Sequence, residues 1–230
     1  MKTMKHDMAG SAVALGLMIA LSKCSCPYPV ECWLALAENN IGIDAYRPDD
    51  VIRSLSGMTI EIVNTDAEGR LLLADTLSLA SRKVKVPSIH RGLEDSMSPK
   101  LVIDFATLTG TCITSLSNRY IGVFSNRNDL INTIINTNDK CGERMWPFPL
   151  DDDYDDDLKS DIADILQCKV STEADHIYAA AFLKKFVNPS APWIHLDLGS
   201  AYKPGGLGHI GTDYTGSGVR AAFALIQQIC

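Results

Sequence analysis

The sequence has little positive charge, no cysteine pair with zinc-binding spacing and no apolar run as long as a membrane span. Its 21 lysine and arginine residues are outnumbered by 28 aspartate and glutamate residues, which gives a net charge of -7. No basic block exists to neutralise phosphates, so non-specific nucleic-acid binding is disfavoured. The seven cysteines are odd in number and scattered, without a Cys-x-x-Cys pair. They indicate reduced thiols, so we expect a cytoplasmic protein without a zinc ribbon.

The apolar stretch from Met8 to Leu21 follows a charged start and could belong to a signal peptide. Against that alternative, Asp7 at the junction is unusual, and no small-x-small cleavage site precedes Cys24. The stretch is also shorter than the roughly 20 apolar residues that a membrane span needs. We interpret it as a buried helix whose small residues allow close packing, and we expect no membrane contact. Asp7 would lie at the positive end of that helix, where a carboxylate is favoured.

The pattern of apolar residues predicts an α/β fold. With 230 residues, of which 46% are hydrophobic, the chain can bury one substantial core, and one domain over 1–230 is the better interpretation. Alternation of strands and helices favours layers, and we expect a three-layer α/β/α sandwich around a mixed central sheet. Residues 83–100, interrupted by prolines and a glycine, are predicted to be a surface insertion. We predict strands at 30–36, 59–63, 101–106, 121–124 and 193–198, and helices at 70–82, 129–141, 179–186 and 218–228.

The stretch Asn64-Thr65-Asp66-Ala67-Glu68-Gly69-Arg70 lies between a strand-like and a helix-like segment. Side chains at i and i+2 share one side of extended backbone, so Asp66 and Glu68 can converge on one centre only if this turn is extended. A D-x-E pair without a nearby histidine or cysteine favours Mg²⁺, Mn²⁺ or an oxygen-bound Zn²⁺. For a bare pair of acids, a solvated acidic loop is the alternative.

The full heptapeptide, followed by Leu-x-Leu-x-Asp, resembles the signature of the leucine aminopeptidase (cytosol aminopeptidase) family of two-metal exopeptidases without a mismatch. Further segments resemble the family's motifs in the family's order, from the first residues of the chain to its last helix. They are Met4 to Gly10 (M-K-x-D-M-x-G), Ala37 to Asn39 with Arg47 to Asp50 (A-E-N…R-P-G-D), Ile103 to Gly110 (I-D-x-A-T-L-T-G) and Trp193 to Asp197 (W-x-H-L-D).

The resemblance implies a mechanism and a set of site residues. Two divalent ions, Mn²⁺ or Zn²⁺ with Mg²⁺ as an alternative, would activate a water and polarise the scissile carbonyl of a peptide substrate. Arg70 would hold a bicarbonate ion that serves as general base, since a guanidinium fork suits a planar oxyanion. The metal ligands implied by the resemblance are Asp7, Asp66 and Glu68, and the substrate-binding residues are Met4, Thr107, Leu108 and Gly110.

The sequence also departs from the family pattern in three places. The family takes a lysine, an aspartate and a catalytic lysine from a G-K-G-x-x-F-D-S-G-G region, which we expect to lie upstream of Met1 together with a separate N-terminal domain. Asp49 stands where the family usually has glycine. Glu173, Asp175 and His176 replace a usual glycine pair, which puts the local loop and the pocket edge in question.

Two acidic or polar features have simpler interpretations than ligand sites. The run from Asp151 to Asp157 lacks the glycine and terminal glutamate of a calcium loop, so a solvated acidic face is expected. His195 alternates with strand neighbours and is expected to be a hydrogen-bonded core histidine.

Two hypotheses of different class follow from these residues. The first is a metal-dependent aminopeptidase that removes leucine-type N-terminal residues from peptides, with a homo-hexamer implied by the resemblance. The second is a catalytically inactive, truncated remnant that acts as an interaction or assembly subunit. Retention of Asp7, Asp66, Glu68 and Arg70 favours the first, because a binding module does not need them.

Overall fold

The computed structural model describes residues 4–39, 42–82, 84–87, 94–171 and 173–229, with 84–87 and 94–97 described by their backbone alone. The helices are α1 (Ala9–Lys23), α2 (Gly69–Ala80), α3 (Gly110–Leu116), α4 (Asp129–Cys141), α5 (Asp175–Lys184) and α6 (Val219–Ile229). The strands are β1 (Val51–Arg53), β2 (Thr59–Glu61), β3 (Val84–Pro87), β4 (Glu94–Met97), β5 (Val102–Ala106), β6 (Ile121–Ser125), β7 (Met145–Pro147), β8 (Ile165–Leu166) and β9 (Trp193–Asp197). Short 3₁₀ helices span Met4–His6, Ser117–Arg119 and Asp152–Leu158.

A mixed four-stranded sheet in the order β5-β9-β6-β7 forms the centre of the fold. Strand β9 runs parallel to β5 and antiparallel to β6, while β7 runs parallel to β6. The register of β5 and β9 sets Asp104 beside His195 and Ala106 beside Asp197. The carboxyl ends of β5 and β9 therefore lie side by side at the same end of the strands.

Helices cover both faces of this sheet, which confirms the predicted three-layer α/β/α architecture. Successive strand side chains point to opposite faces, and β9 shows this alternation. Ile194 belongs to one buried cluster, which includes residues of α1, α4 and α6. Trp193 belongs to a second cluster, which includes residues of α2 and α5. The two apolar clusters thus lie on opposite sides of the central sheet.

A smaller sheet in the order β1-β2-β8 leads into the signature turn. Strand β2 pairs antiparallel with β1 and parallel with β8. Strands β3 and β4 form a separate antiparallel pair within the predicted insertion at 83–100. Residues 83 and 88–93, including His90, lie outside the described residues, and the insertion stays a prediction.

Each of the four predicted helices and four of the five predicted strands has a counterpart in the structure. Helix α4 spans the predicted 129–141, whereas α5 begins at Asp175, four residues before the predicted start at 179. The predicted buried strand at 30–36 is wrong: this segment is not a strand, and most of it is exposed. Residues 29–39 make no backbone-to-backbone hydrogen bond with the described part of the chain. An apolar run alone does not make a strand without a neighbouring backbone to pair with.

The acidic run forms a 3₁₀ helix over Asp152–Leu158 whose carboxylates meet lysines. Lys184 Nζ lies 2.6 Å from Asp152 Oδ1, and Lys169 Nζ lies 2.9 Å from Asp157 Oδ2. Lys185 pairs with Asp155 in the same way. The arrangement agrees with a solvated charged face rather than a calcium loop.

Within the described ranges, no helix is long and apolar enough to cross a membrane. Helix α1, which covers most of the apolar stretch from Met8 to Leu21, packs only one side into the core. Its buried residues are Gly10, Val13, Leu17 and Leu21.

Helix α1 approaches β5 so closely that its first turn needs glycine. A Cβ on Gly10 would lie 2.0 Å from the backbone oxygen of Phe105, a separation that real Cβ atoms do not adopt. At Gly16 the nearest atom to such a Cβ would be Val219 Cγ2 at 3.3 Å, the end of a side chain that can shift.

We expect Gly10→Ala to lower the free energy of unfolding by about 2 kcal/mol or more, because α1 must move away from β5. Gly16→Ala is the matched control on the same helix, where better helix propensity, worth up to about 1 kcal/mol, offsets the mild crowding. Urea denaturation of both variants measures the difference. Equal losses at the two positions would contradict the close contact at Gly10.

Asp49 adopts a backbone conformation that suits glycine. Its φ is 72°, in the left-handed region that L-residues rarely occupy. The backbone is fixed there because Asp49 N donates to Ile62 O at 2.8 Å and Ile62 N donates to Asp50 O at 2.8 Å. The predicted departure from the family's glycine therefore falls at a strained position.

We expect Asp49→Gly to raise the free energy of unfolding by about 0.5 kcal/mol, since relief of strain exceeds the entropy that glycine adds to the unfolded chain. Asp49→Ala should lower it, because alanine tolerates the left-handed region less well than aspartate. Chemical denaturation of both variants provides the measurement. A stabilising alanine would exclude strain as the cause.

Candidate active site

The turn between β2 and α2 is held by Gln167, a residue about 100 positions away in the sequence. Gln167 Oε1 accepts hydrogen bonds from Val63 N at 3.1 Å and Asn64 N at 3.0 Å. Its Nε2 donates to Ala67 O at 3.1 Å. The side chain is fully buried, so it acts as a fixed brace for the signature turn. No local sequence pattern signals this role, because the contact depends on the pairing of β2 with β8.

All eight residues that the sequence assigned to the site line one large cavity, of about 2010 Å³. Its walls include one side of α1, the segment 28–39, the start of α2, and strand β5 with the loop that follows it. Ligands of open α/β sheets bind at the carboxyl ends of strands, and this cavity includes the carboxyl end of β5. The eight residues are Met4, Asp7, Asp66, Glu68, Arg70, Thr107, Leu108 and Gly110.

The three predicted metal-ligating carboxylates share the cavity but do not form a compact cluster. Asp7 Oδ1 accepts a hydrogen bond from Thr107 Oγ1 at 2.8 Å, and Glu68 Oε1 accepts one from Asn39 Nδ2 at 3.3 Å. Asp66 is exposed. Among the described residues, no three or more histidine, cysteine, aspartate or glutamate side chains come close enough together to hold a metal ion. The oxygen donors suit a hard divalent cation, and their gathering around one stays a prediction.

A buried aspartate fixes the loop that carries the predicted substrate-binding residues. Asp197 Oδ2 accepts from Thr109 Oγ1 at 2.7 Å, and its Oδ1 accepts from Leu108 N at 3.2 Å. Thr109 in turn caps α3, accepting from Cys112 N. Burial raises the pKa of Asp197, while the charge of His195 and these hydrogen bonds act against that rise. Loop 107–110 therefore holds its shape through a carboxylate in the sheet.

His195 is a buried, hydrogen-bonded core residue, as the sequence predicted. Its Nδ1 lies 2.6 Å from Asp104 Oδ1, and Trp193 Nε1 donates to Asp104 Oδ2 at 2.6 Å. His195 Nε2 is buried and has no hydrogen-bond partner among the described residues. Burial lowers the pKa of His195, but the charge and hydrogen bond of Asp104, with the charge of Asp197, outweigh burial and raise it. Asp104 and His195 thus form a hydrogen-bonded pair inside the sheet, which is an ion pair when His195 is protonated.

Arg70 is buried, with 2% of its side chain exposed, and its charge is matched by Asp175. Arg70 Nη2 donates to both carboxylate oxygens of Asp175 at 2.8 Å, and Nη1 donates to Gln167 O at 3.2 Å. Sequence reasoning noticed Asp175 only as a departure from the family pattern. Its role as partner of Arg70 emerges only when α2 and α5 pack together.

The fold and the site define a class: a mixed α/β domain with carboxylates, a buried arginine and a large cavity beside its central sheet. The sequence profile described as cytosol aminopeptidase family, catalytic domain, matches residues 1–223. The chain belongs to the cytosol aminopeptidase family, which confirms the resemblance found in its motifs.

Curated relatives and solved structures agree with this assignment. Proteins named probable cytosol aminopeptidase from Syntrophotalea carbinolica and Wolbachia pipientis are 42% and 41% identical over 99% of this chain. The chain spans 43% of the length of each. A structure titled bottromycin maturation enzyme BotP in complex with Mn is 34% identical to this chain, with a TM-score of 0.79. The match covers 97% of this chain and 47% of the BotP chain. A mutant of tomato leucine aminopeptidase is 31% identical, with a TM-score of 0.78, and that match covers 99% of this chain and 41% of the tomato chain.

We expect Asp104→Asn to destabilise the protein most at low pH, by about 3 kcal/mol. The raised pKa of His195 means that its protonation stabilises the fold below the ordinary histidine pKa of about 6.5, and this contribution is lost as pH rises through the raised pKa. Asparagine offers one acceptor oxygen to two donors and removes the counter-charge. Urea denaturation between about pH 5.5 and 8.5 should show the gap to wild type narrowing as pH rises.

Asp139→Asn, an exposed change on α4, is the control and should alter stability little at any pH. A gap between Asp104→Asn and wild type that widened with rising pH would contradict the proposed charge state of His195.

Proposed function

We propose that this chain supplies part of the catalytic centre of a metal-dependent aminopeptidase that hydrolyses leucine-type N-terminal residues from peptides. The observation that carries the proposal is that every residue assigned from the family motifs lines one cavity. These residues come from three separate parts of the chain, at 4–7, 66–70 and 107–110, so their meeting in one cavity is not a consequence of sequence proximity. Membership of the cytosol aminopeptidase family supports the reaction class.

In this proposal Asp7, Asp66 and Glu68 would hold divalent cations. Bound cations of this kind supply an activated water and polarise a carbonyl. The related BotP structure contains Mn, which supports Mn²⁺, with Zn²⁺ and Mg²⁺ as the alternatives. These carboxylates are not gathered into a cluster of three, so we propose that further metal ligands come from a part of the protein outside this chain. The curated relatives, of which this chain spans 43%, are long enough to contain such a part.

The chain's own polar groups have separate tasks in this scheme. Thr107 orients Asp7 through its hydroxyl donor, and Asn39 orients Glu68 through its amide. Leu108 would accept the free amino group of the substrate through its backbone carbonyl. Met4 and Gly110, with Thr107, would line the pocket for the first side chain. Asp197 holds this loop in place from below through Leu108 N and Thr109 Oγ1.

The bicarbonate expected on Arg70 does not fit the residues as they stand. The guanidinium already donates to both oxygens of Asp175, and its Nε is buried without a partner among the described residues. A second anion would have to displace Asp175 or share one buried positive charge with it. We therefore derive no catalytic step through bicarbonate.

A cytoplasmic homo-hexamer acting on peptides is the wider context that we propose for the whole protein, from family resemblance. The competing function is a catalytically inactive remnant that serves as an interaction or assembly subunit. Among the described residues no three potential ligands lie together, which favours this second function for the chain on its own. An activity assay separates the two.

We expect Mn²⁺ or Zn²⁺ to stimulate release of leucine from a Leu-anilide, and Glu68→Ala to reduce kcat/KM on the order of 100-fold or more. Glu68 is chosen because the residues that follow it, from Gly69 to Leu71, have no carboxylate that could replace a lost ligand. The assay follows anilide release at a series of metal concentrations.

Asp139→Ala on α4 is the matched control, since it removes an exposed carboxylate on the other side of the sheet, and it should retain wild-type activity. A wild-type chain that stays inactive with every metal, while folded by circular dichroism, would favour the remnant for the chain on its own. Inactivity that persists in the longer protein containing this chain would overturn the aminopeptidase proposal.

A further inference from the structure

The guanidinium of Arg70 lies at the meeting point of three elements. Arg70 is the second residue of α2, Gln167 follows β8, and Asp175 is the first residue of α5. The three hydrogen bonds from Arg70 connect all of them, at 2.8, 2.8 and 3.2 Å. A carboxylate that takes two hydrogen bonds from one guanidinium nitrogen is a strong, charge-assisted partner.

Asp175 is held in place independently of Arg70. The next residue, His176, donates its backbone N–H to Thr111 Oγ1 at 2.9 Å, and its ring Nδ1 lies 3.1 Å from the same hydroxyl. The ring also packs edge-on against Phe148, with centroids 4.4 Å apart. In addition, the N-terminal position in α5 favours a carboxylate through the helix dipole. The first turn of α5 therefore presents Asp175 to Arg70 as a fixed group.

Charge makes this pairing exclusive. Burial of a guanidinium requires one matching negative charge, and Asp175 provides it. A free anion on the same guanidinium would face the Asp175 carboxylate at short range, in a region where water screens repulsion poorly. The Asp175 side chain is 27% exposed, so its removal would open the vacated space to solvent.

We propose that Asp175 is the resident anion of Arg70, a positioning residue that takes the place of a free oxyanion such as bicarbonate. In this arrangement Arg70 is fixed by the protein itself, and the site needs no dissolved anion to complete it. The part of this inference that concerns catalysis rests on the proposed aminopeptidase function. The part that concerns anion binding does not.

The test measures anion binding by thermal unfolding of the full chain. Wild type, Asp175→Ala and Asp152→Ala are melted in sodium bicarbonate and in sodium chloride of equal ionic strength, at a mildly alkaline pH. Asp152→Ala is the matched control, since it removes a carboxylate from a surface lysine pair. We expect bicarbonate to raise the Tm of Asp175→Ala by about 3 °C or more, saturably, because it occupies the space beside Arg70. Wild type and Asp152→Ala should not respond.

Two results would overturn the proposal. A wild-type Tm that rises with bicarbonate as much as that of Asp175→Ala would show that Arg70 accepts a free anion beside Asp175. An unresponsive Asp175→Ala would show that the vacated space is not an anion site.

If Asp175→Ala does not fold, Asp175→Asn decides, because it keeps the volume but loses the charge. A bicarbonate response larger than wild type supports the proposal, and an equal response overturns it.

Activity provides a second readout that separates this inference from the proposed function. If the chain hydrolyses Leu-anilide, we expect wild-type kcat to be independent of bicarbonate. We expect Asp175→Ala to lose at least about tenfold in kcat and to recover with bicarbonate, as expected when a charge-assisted contact is removed and then restored. An inactive chain whose Tm behaves as expected would favour the remnant for this chain on its own and leave the anion assignment intact.

Discussion

Charge inside the sheet and its covering helices is the constraint on which the arrangement of this site depends. Arg70, Asp104, His195 and Asp197 are all buried, and a buried charge is tolerated only with a partner and hydrogen bonds. Strands β5 and β9 meet this requirement through their register, which sets Asp104 beside His195. The same register brings Asp197 to the carboxyl end of β5, where loop 107–110 begins. The shape of the cavity edge therefore follows from the pairing of two strands.

The cavity wall combines fixed and loosely held groups. Loop 107–110 is tied to the buried Asp197, and Arg70 is tied to Asp175. Asp66, by contrast, is exposed, and no side chain among the described residues fixes its carboxylate. The predicted substrate-binding loop is therefore held by buried partners, whereas the gathering of Asp7, Asp66 and Glu68 around a metal stays a prediction.

The sequence predicted those features that depend on local pattern. Helix α4 follows from apolar residues at helical spacing between Asp129 and Cys141, and the signature turn follows from a change of period between β2 and α2. The eight residues that the family motifs assigned to the site all line the cavity, and their roles stay predictions. What failed was the strand at 30–36, since an apolar run predicts burial but pairing requires a second backbone. The contacts of Gln167 and Asp175 were also missed, because their partners lie about 100 residues away.

The pairing of Arg70 with Asp175 shows how a motif can keep the residue types of its family while one of its side chains contacts a different group. The heptapeptide from Asn64 to Arg70 matches its family pattern at each position, yet the group that Arg70 contacts is determined by α5. A dissolved anion loses translational and rotational entropy when it binds, and it can dissociate again. A carboxylate fixed to a helix does neither. Replacement of one by the other would leave the orientation of Arg70 unchanged and remove its dependence on the medium. Residues outside a motif therefore decide what the motif binds.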